Sequence, residues 1–262
     1  MSVMIIRCCI VLVPLFMLMN EVSLQVTVVG LIGGSVALPC SFKESQFAVE
    51  GITVNWKHHD TLKVYDIIKG QGSVEGQDPA FKSRAETFPD EYEKGNFSLK
   101  LNNLEYNDTG KYQCYIIEES DIQTVELLIE VPLQVPIEDV IGGSAVLPCS
   151  ARERIFTTED ITVKWRHNKT LNVFDIIKGE VSVEKQDSSY KNRTATFPEE
   201  YLNGNFSLKL NNLQHNDTGI YKCYITNELI IQSVKLEINQ GAQSKPEKIL
   251  LLVPFLCFYS AL

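Results

Sequence analysis

The sequence has little of what an enzyme or a nucleic-acid binder needs. No glycine-rich phosphate loop, Ser/His/Asp arrangement or paired acid stands apart from the general pattern, so acid–base and nucleophilic chemistry have no visible carrier. Histidine is scarce: the four are His58, His59, His167 and His215, and their spacing repeats no zinc pattern. Strand or loop surface accounts for them, and neither a metal nor another cofactor is expected. Positive charge is in deficit, with 24 Lys and Arg against 33 Asp and Glu and a net charge of −9, which argues against nucleic acid as a partner. Long apolar runs are missing too. The run Cys8–Met19 falls well short of the ~20 residues of a spanning helix. No enzyme activity and no small-molecule substrate are expected.

The ends of the chain carry the short apolar runs that do exist. Arg7 followed by Cys8–Met19 reads as a secretory signal over residues 1–23, although no A-x-A-like cleavage site stands out; a retained N-terminal anchor is the alternative. At the other end, Asn239–Ser244 is small and polar, Lys245–Lys248 is a charged spacer, and Ile249–Leu262 is apolar. Fourteen residues at 1.5 Å span about 21 Å against a hydrocarbon core of about 30 Å. The lysines also lie on the wrong side for a span with its C-terminus in the cytoplasm. Residues 240–262 therefore read as a glycosylphosphatidylinositol signal, with attachment near Asn239, Gly241 or Ser244. A short transmembrane helix is the alternative.

Between these ends the chain is a duplication. Shifting it by 109 residues superposes Leu31–Ile129 on Val140–Ile238 without a gap, with roughly three in five positions identical. The most telling stretch is Asn102–Ile116, NNLEYNDTGKYQCYI, which returns as Asn211–Ile225, NNLQHNDTGIYKCYI. Both end in D-x-G-x-Y-x-C. Gly110 and Gly219 permit a tight corner into a strand. Tyr112 and Tyr221, two residues before a cysteine, can return their hydroxyls to the backbone. This is the F-strand signature of an immunoglobulin domain, present twice.

Four cysteines remain once Cys8 and Cys9 leave with the signal and Cys257 falls in the tail. Three pairings are open to four cysteines, and the repeat selects Cys40–Cys114 and Cys149–Cys223. Each bridge is worth about 2–4 kcal/mol, mainly by restricting the unfolded chain. Trp56 follows the first cysteine by sixteen residues, where a buried core tryptophan packs on the bridge. Period-two alternation places strand C at Thr53–His58, E at Asn96–Leu104, F at Lys111–Ile117 and G at Gln123–Glu130. The long interval between the cysteines leaves room for extra hairpin strands, of which Leu62–Gly70 and Leu171–Gly179 are the first. The expected fold is all-β, two tandem variable-type sandwiches of nine strands over residues 24–131 and 133–239. The join, Val131–Pro136, holds two prolines and reads as a semi-rigid linker. Arg84 with Asp108, and Arg193 with Asp217, stand where such domains carry a structural ion pair.

The run FPDEYEKGNFSLKLNNL, with Lys69-Gly70, Val74-Glu75, Gln77-Asp78, Arg84 and Cys114-Tyr115, resembles the variable-type domains of the butyrophilins and T-cell co-signalling ligands. The likeness runs from about Gln25 to Ile238. Two departures are expected: a second variable-type domain in place of the usual constant-type one, and no cytoplasmic region. Neither G strand carries the F-G-x-G of antigen receptors. The resemblance implies a ligand on the external side of the plasma membrane, delivered by the secretory pathway and anchored at its C-terminus. It would bind a protein receptor on an immune cell and modulate T-cell activation. A homophilic or heterophilic adhesion molecule is the alternative.

The resemblance also implies that the G-F-C-C′ sheet meets the partner. Alternation turns Gln113, Tyr115 and Ile117 outward on strand F, and Asn55 and Lys57 on strand C, while Tyr65 and Ile67 are assigned to C′. The copies Tyr224, Lys164, Lys222 and Phe174 keep much of this chemistry, but Thr226 replaces Ile117, which favours the first domain. Six N-x-[ST] sequons, at Asn96, Asn107, Asn168, Asn192, Asn205 and Asn216, are expected glycan sites, less so Asn107 and Asn216 with Asp in the middle.

Overall fold

The computed structural model describes residues 26–42, 48–133, 135–152 and 156–240. The expected signal segment, Gly241 and Ser244 lie outside the described residues; Asn239 is exposed at the end of the last strand. Among the described residues no helix is long and apolar enough to cross a membrane.

The first domain has nine strands: β1 (Val26–Leu31), β2 (Val36–Leu38), β3 (Thr53–His58), β4 (Leu62–Ile68), β5 (Gln71–Ser73), β6 (Ala85–Glu86), β7 (Leu99–Leu101), β8 (Gly110–Ile116) and β9 (Asp121–Pro132). The order β5-β4-β3-β8-β9, with β1 parallel to β9, makes one sheet, and β2-β7-β6 makes the other. The second domain repeats this with β10 (Ile137–Val140), β11 (Ser144–Leu147), β12 (Thr162–His167), β13 (Leu171–Ile177), β14 (Glu180–Ser182), β15 (Thr194–Ala195), β16 (Leu208–Asn211), β17 (Gly219–Ile225) and β18 (Ile230–Asn239). Strand C, here β3, spans the residues that its alternation marks. Strand E is shorter than its apolar pattern, because Asn96 and Ser41 meet only in an isolated bridge before the ladder of β2 and β7 begins.

The sandwich closes on the alternation of β8. Tyr112, Cys114 and Ile116 point into the core, and Cys40 is bonded to Cys114 as Cys149 is to Cys223. Trp56 packs in this core and donates its indole N–H to the Phe97 carbonyl at 3.0 Å, which satisfies the one polar atom that its burial would strand. The Tyr112 hydroxyl donates to the Asp108 carbonyl at 2.9 Å, and Tyr221 does the same to Asp217. Gly110 sits at φ +127°, with the His58 and His59 rings where a side chain would go. A residue with a Cβ would be strained there on both counts. At the base, the Arg84 guanidinium grips Asp108 with bonds of 2.7 and 2.8 Å, and Arg193 grips Asp217 at 2.7 and 2.9 Å.

The join differs from the linker that its two prolines suggest. Strand β9 continues through Pro132, and its last residues pair in parallel with β18: Ile129 with Ile230, Glu130 with Ile231, Val131 with Gln232, Pro132 with Ser233. Leu133 then donates its N–H to the Ser233 carbonyl at 2.7 Å. Proline is tolerated there because it lies at the end of an edge pairing, where no ladder bond needs its missing N–H. Ile230 packs into the first domain's core, and the Arg152 guanidinium lies 4.0 Å from the centre of the Tyr106 ring. Both main sheets are thereby joined into one.

Candidate partner-binding face

Strands β4, β3, β8 and β9 lay out the outward face of the first domain in rows. One row runs Asp66, Asn55, Tyr115, Ile122, since each is directly opposite the next. The row beside it holds Ile68 opposite Thr53, and Ile117, whose N–H donates to the Thr53 carbonyl at 3.0 Å. On the other side lie Lys63, Lys57, Gln113 and Thr124. Directly opposed residues share a face of the sheet, so Ile122 and Ile117 flank Tyr115, and Ile68 lies on the same face across β3. Ile117 is 51% exposed and Ile122 54%.

Polar contacts tie the centre of this face together. The Tyr115 hydroxyl donates to the Gln113 side-chain carbonyl at 2.6 Å, and the Lys57 ammonium lies 5.2 Å from the Tyr115 ring centre. These contacts leave Tyr115, Asn55 and Lys57 half-buried and Gln113 buried among its neighbours. Lys63 pairs with Asp66 at 2.5 Å. The Glu118 carboxylate accepts the Thr53 N–H at 3.0 Å and ties the β8–β9 turn to β3.

Two residues assigned to the face are elsewhere. Ile67 is fully buried, opposite Val54 in the core. Tyr65 is opposite Trp56 and packs, half-buried, against the same core, with its hydroxyl over Gly72. The cause is a β-bulge. The β3–β4 register shifts between Trp56 and Lys57, leaving Val64 without a partner. Beyond that extra residue the alternation inverts, so Val64 and Tyr65 both turn inward and Asp66 and Ile68 become the outward residues of β4. Ile68 and Ile122 are the two exposed apolar members of the face that alternation along single strands missed, with Thr53, Lys63, Asp66 and Thr124 as its polar ones. An exposed isoleucine directly opposite Tyr115 becomes visible only once the register of β8 against β9 is known.

The copy of this face in the second domain is differently occupied. Ile231, the counterpart of Ile122, is 1% exposed, because the end of β9 lies alongside it. Lys222, the counterpart of Gln113, pairs with Glu130 of the first domain at 2.5 Å. Lys164 and Thr226 are exposed and Tyr224 half-buried, while Phe174 is buried after the matching bulge between Trp165 and Arg166. Arg166, Asn172 and Asp175 bond to one another over β12 and β13.

The sequons divide by exposure. Asn107, Asn168, Asn192 and Asn216 are exposed; Asn96 and Asn205 are half-buried and donate their amides to Glu91 and Glu200.

Comparison with known proteins places this geometry. The CD276 antigen homolog of Xenopus laevis is 30% identical over 126 residues, 47% of this chain and 41% of that protein. Human V-set domain-containing T-cell activation inhibitor 1 is 35% identical over 108 residues, 41% of this chain and 38% of that protein. The chain thus spans about two fifths of the length of these curated relatives. A crystal structure of the human B7-H4 IgV-like domain aligns at 30% identity, over 40% of this chain and 93% of that one, with a TM-score of 0.38. The family model described as the immunoglobulin V-set domain matches residues 24–129 and again 133–239. The chain belongs to the immunoglobulin V-set family.

Proposed function

We propose that this protein is a cell-surface ligand that presents the outward face of its first domain to a protein receptor on T cells and thereby modulates their activation. The observation that carries the reading is the asymmetry between the two copies. The first domain leaves Ile117 and Ile122 exposed beside Tyr115, whereas the second has Thr226 in place of Ile117 and covers Ile231, in place of Ile122, with the end of β9; Ile68 and its counterpart Ile177 are exposed alike. Contiguous exposed apolar side chains around an aromatic are the usual make-up of an interface centre. The name of one relative, a T-cell activation inhibitor, supplies the class of recipient cell. The chain reaches the surface through the signal at residues 1–23, carries glycans on its exposed sequons, and is held by a glycosylphosphatidylinositol anchor attached within Asn239–Ser244.

The test is binding of tagged, full-length-derived ectodomain to activated T cells. Tyr115→Ala and Ile117→Asp each abolish or strongly weaken binding while leaving thermal stability nearly unchanged. Undiminished binding by both variants overturns the assignment of the face. Strong self-clustering of ectodomain-coated beads, without T-cell binding, points to adhesion instead. Release of the protein from cells by phosphatidylinositol-specific phospholipase C tests the anchor, since a peptide span stays in the membrane.

A further inference from the structure

The second domain carries an open groove of about 580 Å³ away from the face described above, between β13–β14 and the segment around β15. Phe174, Val181, Val183, Ala195 and Pro198 give it an apolar lining. Asn192 stands at its edge, exposed, in the left-handed backbone region at φ +61°, and it begins the sequon Asn192-Arg193-Thr194. The sequon's Thr194 also lines the groove and accepts a hydrogen bond from the Gln186 amide at 2.8 Å. Val181 and Val183 are exposed on this wall. Such an apolar wall open to water calls for an occupant.

The first domain supplies a comparison, because the same place in the fold is built there partly from different residues. Ser83 replaces Asn192, at nearly the same φ of +60°, so the sequon is lost while the backbone is kept. Gly72 replaces Val181, and the hydroxyl of Tyr65, which replaces Phe174, lies over it. Glu86 replaces Ala195 and bonds Lys100 at 2.8 Å. Val74, 60% exposed, and Pro89 keep the types of Val183 and Pro198, so the two walls differ at Gly72 and Glu86, where the second domain has Val181 and Ala195. Where the sequon is absent the domain's own Tyr65 hydroxyl covers that place; where it is present the place is open, with Val181 exposed.

We infer that the groove is the seat of the chain's own N-linked glycan, carried by Asn192, with the apolar face of its first N-acetylglucosamine against Val181, Val183 and Pro198. In the transfer, the Asn192 Nδ2 bonds to C1 of that sugar as the bond from C1 to the pyrophosphate of a lipid-linked oligosaccharide breaks. The amide gives up one proton, the lipid pyrophosphate leaves, and no redox change occurs. A sugar ring has one face of C–H groups, and seating it removes apolar surface of both partners from water. This inference rests on the secretory route of the proposed function, which delivers the chain to the transferase.

The experiment takes the full chain made in secretion-competent animal cells and maps sequon occupancy by mass spectrometry. Occupancy at Asn192 is expected. Glycans elsewhere with Asn192 bare would overturn this inference alone, and glycans at none of the six sequons would overturn the secretory reading with it. The glycosylated protein is then footprinted with hydroxyl radicals in three forms: intact, trimmed to one N-acetylglucosamine, and fully deglycosylated. Labelling of Val181, Val183 and Pro198 is expected to stay low in the first two and to rise severalfold in the third. Asn192→Gln, which needs no enzymatic treatment, is expected to match the third form, with occupancy at the other sequons unaffected. Equal labelling in all forms overturns the seating of the glycan, as does low labelling that persists in Asn192→Gln, the sign of a second copy or another protein in the groove.

Discussion

The Glu130 carboxylate meets the Lys222 ammonium at 2.5 Å across the domain boundary, with both side chains only about one-seventh exposed. Gln113 stands at the position of Lys222 in the first domain and Asn239 at that of Glu130 in the second, so the pair belongs to the joint and not to the shared fold. Replacing either partner by alanine strands a half-buried charge and should cost about 1–3 kcal/mol. The double variant should recover part of this. A double-mutant cycle by chemical denaturation measures the coupling, and a coupling of zero would make the contact incidental.

Ile67 and Ile117 test the placement of the face from opposite sides. Ile67→Ala removes a fully buried side chain and should destabilise the first domain by about 2–5 kcal/mol. Ile117→Asp should leave the melting temperature nearly unchanged, since the residue is exposed and surface substitutions cost less than about 0.5 kcal/mol. Calorimetry of the two variants side by side reads both.

That contrast also marks how far the sequence could be read. Period two along β8 and β3 needs only the residues of one strand, and Cys114, Tyr112, Trp56 and Val54 lie on the inward side that it indicates. On β4 the same rule fails at Val64, because a bulge is a property of two strands in register and leaves no mark in either one alone. The joint was hidden for a related reason. Val131 and Pro132 look like linker until β18 is alongside them, and Ile122 and Ile231 look equivalent until one is covered. The ion pairs Arg84–Asp108 and Arg193–Asp217 were legible because they stand where variable-type domains carry a structural pair.

Stability of the first domain should fall in acid. Burial lowers the His58 imidazole to about 4. Its Nε2 lies 3.0 Å from the Thr109 carbonyl, which can only accept, so Nδ1 is a lone pair, and it has no partner. The unfolded chain takes up a proton near pH 6.5 and the folded one only near 4, so stability decreases as pH falls through that window. Thermal melts from pH 7 to pH 4 check the direction.

In the second domain the Tyr190 hydroxyl lies 2.5 Å from His167 Nδ1, the position at which the first domain has Phe81. Phe81→Tyr should therefore supply the missing donor and stabilise the first domain by about 1 kcal/mol at neutral pH. No gain in the denaturation midpoint would mean that the ring cannot reach.

Arg84→Ala leaves the Asp108 carboxylate buried without its guanidinium and should cost about 3–5 kcal/mol. The first domain should then melt ahead of the second in calorimetry, and a single unshifted transition would contradict this.

Because β9 ends as a partner of β18, a pull on the first domain is not taken up by a swivel. With Ile129–Pro132 and Ile230–Ser233 side by side and running the same way, tension along the chain loads their hydrogen bonds in shear, all at once. Sliding them apart also drags Ile230 out of the first domain's floor. A receptor tugging on the face around Tyr115 would thus meet a stiff lever whose tilt is kept under load, until both contacts give way together.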